Sequence, residues 1–288
     1  VRVLVGSDNI ITSPMFVGAD EEAPSNLDTG VPTVAVTDAA GTTLTAPTAS
    51  LVGDGRYKVK LTAAAHTTDI DRLTVTWTGT ADGMVQTLTQ TVEVVDGHYA
   101  TLAELRQLDE LSDTSSYPSD ALRWARDSYA ELVEEYLGAS FVGRLGIDTG
   151  PYCGRNGVLL SKMFPRTVRS FLVDGTAADL TGIELSDWGG LRLATWPSYT
   201  ATYPQQTILY SYGAAPMPEC LRVGCRAYVR ALLKSGGSGV ENAYAWADGN
   251  GGTYRTSTAN WEQRRPTGWM AVDDQLNSAP NHRAPNVA

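Results

Sequence analysis

The sequence predicts a multidomain α+β protein: an N-terminal β-sandwich of immunoglobulin-like type, then a helical body with an inserted β segment, then an extended C-terminal arm. Three observations carry this. From Val1 to about Val95 the apolar residues recur with a period of two, the spacing of half-buried strands. The period changes near Thr101, and in "YPSDALRWARDSYAELVEEYLGASFVGR", Tyr117 to Arg144, it becomes the three-and-four step of an amphipathic helix. Beyond Ser235 the chain turns rich in Gly, Ser and Asn, a composition that supplies little apolar surface for a core. With 288 residues there is room for two domains that each bury a core of their own.

The first domain, residues 1–96, is read from three alternating runs. Tyr57, Val59 and Leu61 alternate with charged residues in "RYKVKL", Leu73, Val75 and Trp77 alternate in "RLTVTW", and Leu88, Val92 and Val94 share one parity in "LTQTVEV". Turn chemistry bounds each run, as in "DAAGT", "VGDGR" and "TADGM", where Asp and Gly tolerate the positive backbone angles of tight turns. The domain has no cysteine pair of the antibody kind, so its core is expected to rest on Trp77 and the aliphatic residues. The opening "VRVLVGSDNIITSPMF" lacks a basic head, a long apolar stretch and a small-residue cleavage site, so no secretory signal is expected. No apolar run reaches bilayer-spanning length.

The body, residues 97–235, begins with Thr101 followed three residues later by Glu104. That is a capping-box pattern, and it predicts a short helix from about Leu102 to Leu111. In the next helix Pro118 suits the first turn and Asp120 the positive end, while Leu122, Ala125, Tyr129, Leu132, Val133 and Tyr136 form the apolar stripe. Gly138 supplies the left-handed stop. The outer side carries Asp127, Glu131, Glu134 and Glu135. Strands are expected in "GVLLSKMF", "TVRSFLVDG", "GIELSDW", "LRLATW" and "TILYSYG". A last helix follows in "PMPECLRVGCRAYVRALLKSGGSG": Pro218 opens it, Leu221, Cys225, Tyr228 and Leu232 face inward, and Gly236 ends it.

Chemistry-bearing patterns are sparse. Cys153, Cys220 and Cys225 cannot all pair within the chain, and the last two point in different directions on a helix, so they read as reduced thiols. Neither they nor His66, His98 and His282 show metal-ligand spacing, and the histidines read by default as exposed imidazoles. No phosphate-cradling motif is present, since "DGNGGT" leads into no helix. No cofactor, metal site or catalytic residue is expected, and the chain reads as a non-enzyme. The net charge of −10 also disfavours tight binding of phosphate backbones.

One charge pattern does point to an interaction. Arg222, Arg226, Arg230 and Lys234 recur every four residues and form a basic stripe beside the buried one. Such a stripe suits solvent or an acidic surface, either the Glu131 to Glu135 helix of the same or a neighbouring subunit or a separate protein; DNA ranks third, since four positive charges on an acidic body give only modest affinity at physiological salt. In the arm, residues 236–288, Trp261, Arg264, Arg265 and Trp269 are of the types that dominate interface energetics.

The order of four segments is familiar. "TLAELRQL", the Tyr117 to Arg144 stretch, "TILYSYGAAPMPECLRVGCRAYVRALL" after a β segment, and "RRPTGWMAVDDQLN" together resemble the head-to-tail connector, or head-completion adaptor, proteins of long-tailed phages, notably those of actinobacteria. The likeness covers Thr101 to Asn277, and its most distinctive part is the "RPTG…VD…LN" ending at Arg265 to Asn277. It implies a structural virion protein, assembled in the host cytoplasm and placed at the head-to-tail interface. There it would form a homo-oligomeric ring, a dodecamer, under the portal protein and offer a docking platform to a tail-proximal head-closure or tail-completion protein. Genomic DNA would pass through without sequence recognition, and no membrane is involved. Residues 1–96 lie outside the resemblance and read as an added domain. A second reading stays open: a secreted carbohydrate-binding or adhesive β-sandwich protein, to which the seven tryptophans would be suited. A polysaccharide hydrolase would further need a convergent pair of carboxylates.

Overall fold

The computed structural model describes residues 1–18, 23–152, 157–197, 204–234, 266–267 and 269–280, with the backbone alone at 246–247 and 253–254. The fold is mixed α+β with strands predominating. Seven strands make the N-terminal unit: β1 Arg2–Leu4, β2 Asn9–Thr12, β3 Thr33–Thr37, β4 Ala49–Gly53, β5 Arg56–Leu61, β6 Asp71–Ala81 and β7 Met84–Val95. They form two sheets, ordered β1-β7-β6-β3 and β2-β5-β4. The alternating residues behave as their spacing requires. Tyr57, Val59 and Leu61 from one sheet and Val34, Val36, Leu73, Val75, Trp77, Val92 and Val94 from the other bury into one shared core, and the Trp77 side chain is fully enclosed. The β4–β5 and β6–β7 turns are the two-residue Asp54-Gly55 and Asp82-Gly83 pairs, all four residues at positive φ, as the twist of a tight hairpin demands.

The rest of the chain contains α1 Leu102–Arg106, a 3-10 turn Asp109–Leu111, α2 Ser119–Leu137, β8 Arg144–Pro151, β9 Val158–Leu159, β10 Pro165–Val173, β11 Thr176–Ala177, β12 Glu184–Leu185, β13 Gly190–Arg192, β14 Gln205–Tyr212, α3 Glu219–Lys234, the short pair β15 Trp246–Ala247 and β16 Thr253–Tyr254, and α4 Met270–Ser278. Two antiparallel sheets, β11-β10-β14-β8 and β12-β13-β9, enclose Tyr152, Phe171, Leu191, Ile208 and Tyr210. The helices share a separate core built on Leu105, Leu122, Tyr129, Val133, Leu221, Cys225, Val229, Val272 and Leu276.

Local signals explain where the helices begin and end. The Thr101 hydroxyl accepts a 3.1 Å bond from the Glu104 amide while the Glu104 carboxylate accepts one of 2.7 Å from the Thr101 amide. This reciprocal cap starts α1 as expected, but the helix stops at Arg106 and only the 3-10 turn reaches Leu111. Gly138 closes α2 at φ 74°, and Pro118 sits one residue before the helix, at the cap position. Of "GVLLSKMF" only Val158–Leu159 is strand.

Two elements depart further from expectation. Strand β8, "RLGIDTGP", pairs along its whole length with β14, yet Gly, Asp and Pro give it poor strand propensity. Its Gly146 is required by a close approach, because a Cβ there would come 2.5 Å from the Tyr210 ring. The second is α4. The segment after Ser235 is expected to be an extended arm that cannot form a core alone; at residues 270–278 it is a helix instead, with Val272 and Leu276 buried with α2 and α3, so its extended form is corrected there. Leu276→Ala is therefore expected to destabilise the protein by about 2–5 kcal/mol, the range for truncating a fully buried leucine, measured by denaturant unfolding.

Candidate functional site

Helix α3 presents the basic stripe as its spacing predicts. Leu221, Cys225, Val229 and Leu232 are buried, while Arg222, Arg230 and Lys234 are exposed and Arg226 is partly so. Val229, not Tyr228, completes the buried row, and Tyr228 is half-buried against Tyr129 and Trp269, with ring centroids 5.5 and 5.4 Å away. Near its start the stripe already has acidic partners. Arg222 donates to Glu104 at 2.7 Å, and Glu219 lies 3.8 Å from Arg222 and 3.7 Å from Arg226. These exposed pairs contribute little to stability.

Trp261, Arg264 and Arg265 lie outside the described residues. The rest of their segment is tied into the helical core by specific polar bonds. Asp273, almost fully buried, accepts from the Thr267 amide at 3.0 Å and from its hydroxyl at 2.7 Å. The Thr267 hydroxyl in turn accepts from the Trp269 amide at 3.1 Å. At the other end of α4 the Tyr136 hydroxyl donates to Asn277 at 2.6 Å. Trp269 thus helps seat α4 on α3, and its half-buried ring has an intramolecular contact before any partner arrives.

The acidic side of α2 is engaged through Asp127, Glu131 and Glu134. It meets the N-terminal unit and β8. Arg2, on β1, is buried: its Nε donates to Glu93 at 2.8 Å, one terminal nitrogen to the Asp127 carbonyl at 3.1 Å, and the other to Glu131. Arg144, on β8, is buried beside it and bridges Glu93 at 2.8 Å and Glu134 at 2.5 Å. Lys162 reaches Glu134 at 2.5 Å, and the Tyr212 hydroxyl donates to the same carboxylate at 3.2 Å. Farther out, Asp96 pairs with Arg166, and Arg169 reaches Asp69 at 2.7 Å. The N-terminal unit is therefore locked to the remainder by alternating charges. No signal in the sequence marks this junction, since it depends on the parallel pairing of β1 with β7 and on a strand that the propensities hide.

Electrostatics at the junction follow from burial set against pairing. Burial alone would raise the Glu93 carboxyl, but the Arg144 charge and hydrogen bonds from Arg2 and Arg144 bring it down to about 2. Glu134 behaves alike: burial opposes its charge, and Arg144 and Lys162 overcome it and lower its pKa. Both carboxylates stay ionised through the neutral range. His98, in the same region, is pushed down to about 3 by burial and then by the positive charges of Arg126, Arg2 and Arg123. It is neutral in the folded protein, not the exposed imidazole expected. His98 is half-buried, whereas His66 is buried, with Nδ1 3.1 Å from the Thr62 amide and Nε2 2.8 Å from the Thr45 carbonyl. His282 lies outside the described residues.

These shifts fix a sign for the pH dependence. Groups whose folded pKa is depressed favour folding above their ordinary value and lose that contribution as pH falls toward the folded one. The His98 contribution declines below 6.5 toward about 3, and that of Glu93 below 4.5 toward about 2. Unfolding free energy is thus expected to fall steadily from pH 6.5 downward, with a slope that steepens below 4.5. In His98→Asn the decline should begin only in the carboxylate window, and denaturant titrations at a series of pH values check this.

Among the described residues no group of three or more His, Cys, Asp or Glu is placed to hold a metal ion, and no helix is long and apolar enough to cross a membrane. Cys220 and Cys225 are free, the second fully buried, while Cys153 lies outside the described residues. No protein-family model matches the chain, and comparison with curated proteins finds no significant match.

Proposed function

We propose that this protein is a structural virion component, a phage head-to-tail adaptor. In this reading it forms a ring, a dodecamer, beneath the portal protein, continues the DNA channel, and provides the platform on which a tail-proximal head-closure or tail-completion protein docks. The N-terminal two-sheet unit is then an immunoglobulin-like sandwich added to a connector body, and the protein works without catalysis or cofactor. The observation that supports the reading is convergence: α1, α2, α3 and α4, each lying almost wholly within a segment that carries the resemblance, pack into one helical core. Residues that would be unrelated in an accidental likeness instead hold one another, as Tyr136 holds Asn277 and Tyr228 holds Trp269.

Charge fits the same role. A chain with a net charge of −10 repels the phosphate backbone and lets DNA slide, while the basic stripe on α3 keeps Arg222, Arg230 and Lys234 at the surface. Reversing two of its members in the variant Arg226→Glu/Arg230→Glu is expected to weaken subunit or portal association, and more so at low salt, because the reversed charges turn attraction into repulsion that salt screens. Assembly onto portal followed by gel filtration at two salt concentrations checks this. Unchanged assembly at both would return the stripe to a solvated face. Normal assembly with poorer retention of packaged DNA would place it in the channel lining.

A further inference from the structure

Between the β2-β5-β4 sheet, the middle of β7 and the first half of α2 lies a solvent-open groove of about 610 Å³, within the size range of small-ligand sites. Besides Val1 at 52%, its walls carry two large apolar side chains that are more than half exposed, Ile10 at 53% and Trp124 at 55%. Neither is needed for the core, since Ile11 and Leu122 fill that role on the same elements. Most of the charge around the groove is spoken for. Arg123 is bound to Asp120 at 2.7 Å, Arg2 to Glu93 at 2.8 Å and also to Glu131, and Asp127 accepts from Arg126 at 3.1 Å. Arg56 and the Thr12 hydroxyl also line the groove, and neither side chain has a hydrogen-bond or ion-pair partner among the described residues.

A phosphate or carboxylate ligand would find one free guanidinium amid four carboxylates, and a cation would find every carboxylate already engaged. What the groove does offer is an apolar aromatic shelf beside a free planar donor and a hydroxyl. That combination matches an uncharged ring with one hydrocarbon face and hydroxyl groups at its rim. We propose that this groove binds a neutral saccharide, with a pyranose ring stacked on the Trp124 indole and its hydroxyls accepting from Arg56 and bonding to Thr12. Stacking of this kind supplies apolar contact, and the rim hydrogen bonds fix orientation. The proposal is independent of the adaptor reading.

The test is calorimetric titration of the full chain with maltohexaose, cellohexaose, xylohexaose and mannohexaose, with hexagalacturonate as an anionic comparator. At least one neutral hexasaccharide is expected to bind with a dissociation constant of about 10⁻⁵ to 10⁻³ M, at the weak end of the affinity scale. Trp124→Ala should weaken it by about tenfold or more and Arg56→Ala by several-fold, both changes being at exposed positions that leave the cores intact. Trp188→Ala, which removes another exposed indole outside the groove, should leave binding unchanged. The proposal is overturned if none of the four neutral sugars binds, if only hexagalacturonate does, or if binding survives Trp124→Ala. It is equally overturned if Trp124→Ala leaves sugar affinity intact but alters the oligomeric mass, which would assign the indole to a subunit interface.

Discussion

Arg144→Met is expected to destabilise the protein by about 3–5 kcal/mol, the typical loss when one partner of a buried ion pair is removed. The size follows from what remains. Glu93 and Glu134 keep their positions, with side chains only 20% and 12% exposed, and each loses the guanidinium that overcame its burial. Neighbouring Arg2 and Lys162 still reach one carboxylate apiece, which keeps the loss finite. The variant should also respond differently to acid. Protonating Glu93 and Glu134 relieves the uncompensated charge, so the deficit relative to the parent protein should shrink as pH falls below about 5. Adding Glu93→Gln to Arg144→Met should recover part of the loss at neutral pH. A deficit under about 1 kcal/mol at all pH values would mean that the junction behaves like a set of surface pairs.

Gly224→Val is expected to cost about 3 kcal/mol, at the upper end of overpacking penalties, and to fail by a different route. Helix α3 passes so close to α2 and α4 that a Cβ on Gly224 would lie 2.5 Å from the Tyr129 hydroxyl oxygen and 3.2 Å from the Gln275 Cβ. The tyrosine cannot swing aside, because its ring is fully buried between Tyr99 and Tyr228, with centroids 5.6 and 5.5 Å away. Valine also brings poor helix propensity. The nearest atom suggests a rescue. The Tyr129 hydroxyl is buried without a hydrogen-bond partner, so Tyr129→Phe alone should be neutral or stabilising. Combined with Gly224→Ala it should restore most of the stability that Gly224→Ala loses. Thermal unfolding of the four proteins checks this, and additive losses would show that the clash lies with Gln275 instead.

Much of the fold is legible where local chemistry decides it. The Asp-Gly turns at 54–55, 82–83 and 174–175 each join two strands through a two-residue loop, and each is visible as a dipeptide between apolar runs. The capping box at Thr101 and the stop at Gly138 are of the same kind. The elements missed are those that tertiary partners impose. Strand β8 pairs through a glycine that exists to admit the Tyr210 ring, and helix α4 spans nine residues, too few to be stable without the surface of α3. The charged junction was the least readable, because Arg2, Glu93 and Arg144 are far apart in the chain and individually ordinary. Residues 1–96 do have their own core, as their alternation implies, yet the buried arginines join that unit to the helices more tightly than separate cores suggest. The basic stripe on α3 was legible as a surface, and Glu219 three residues before Arg222 on the same helix is a local partner, but Glu104 becomes a neighbour only once α1 folds close to α3.

The central proposal, that this chain assembles as a ring on a portal, is tested most directly by the mass of the purified protein in solution, measured alone and after mixing with a phage portal protein from the same source. The account predicts that with portal present the protein is recovered in a closed complex whose mass corresponds to a dodecamer added to the portal ring. Recovery of the protein as a free monomer at every ratio, with portal eluting alone, would contradict it.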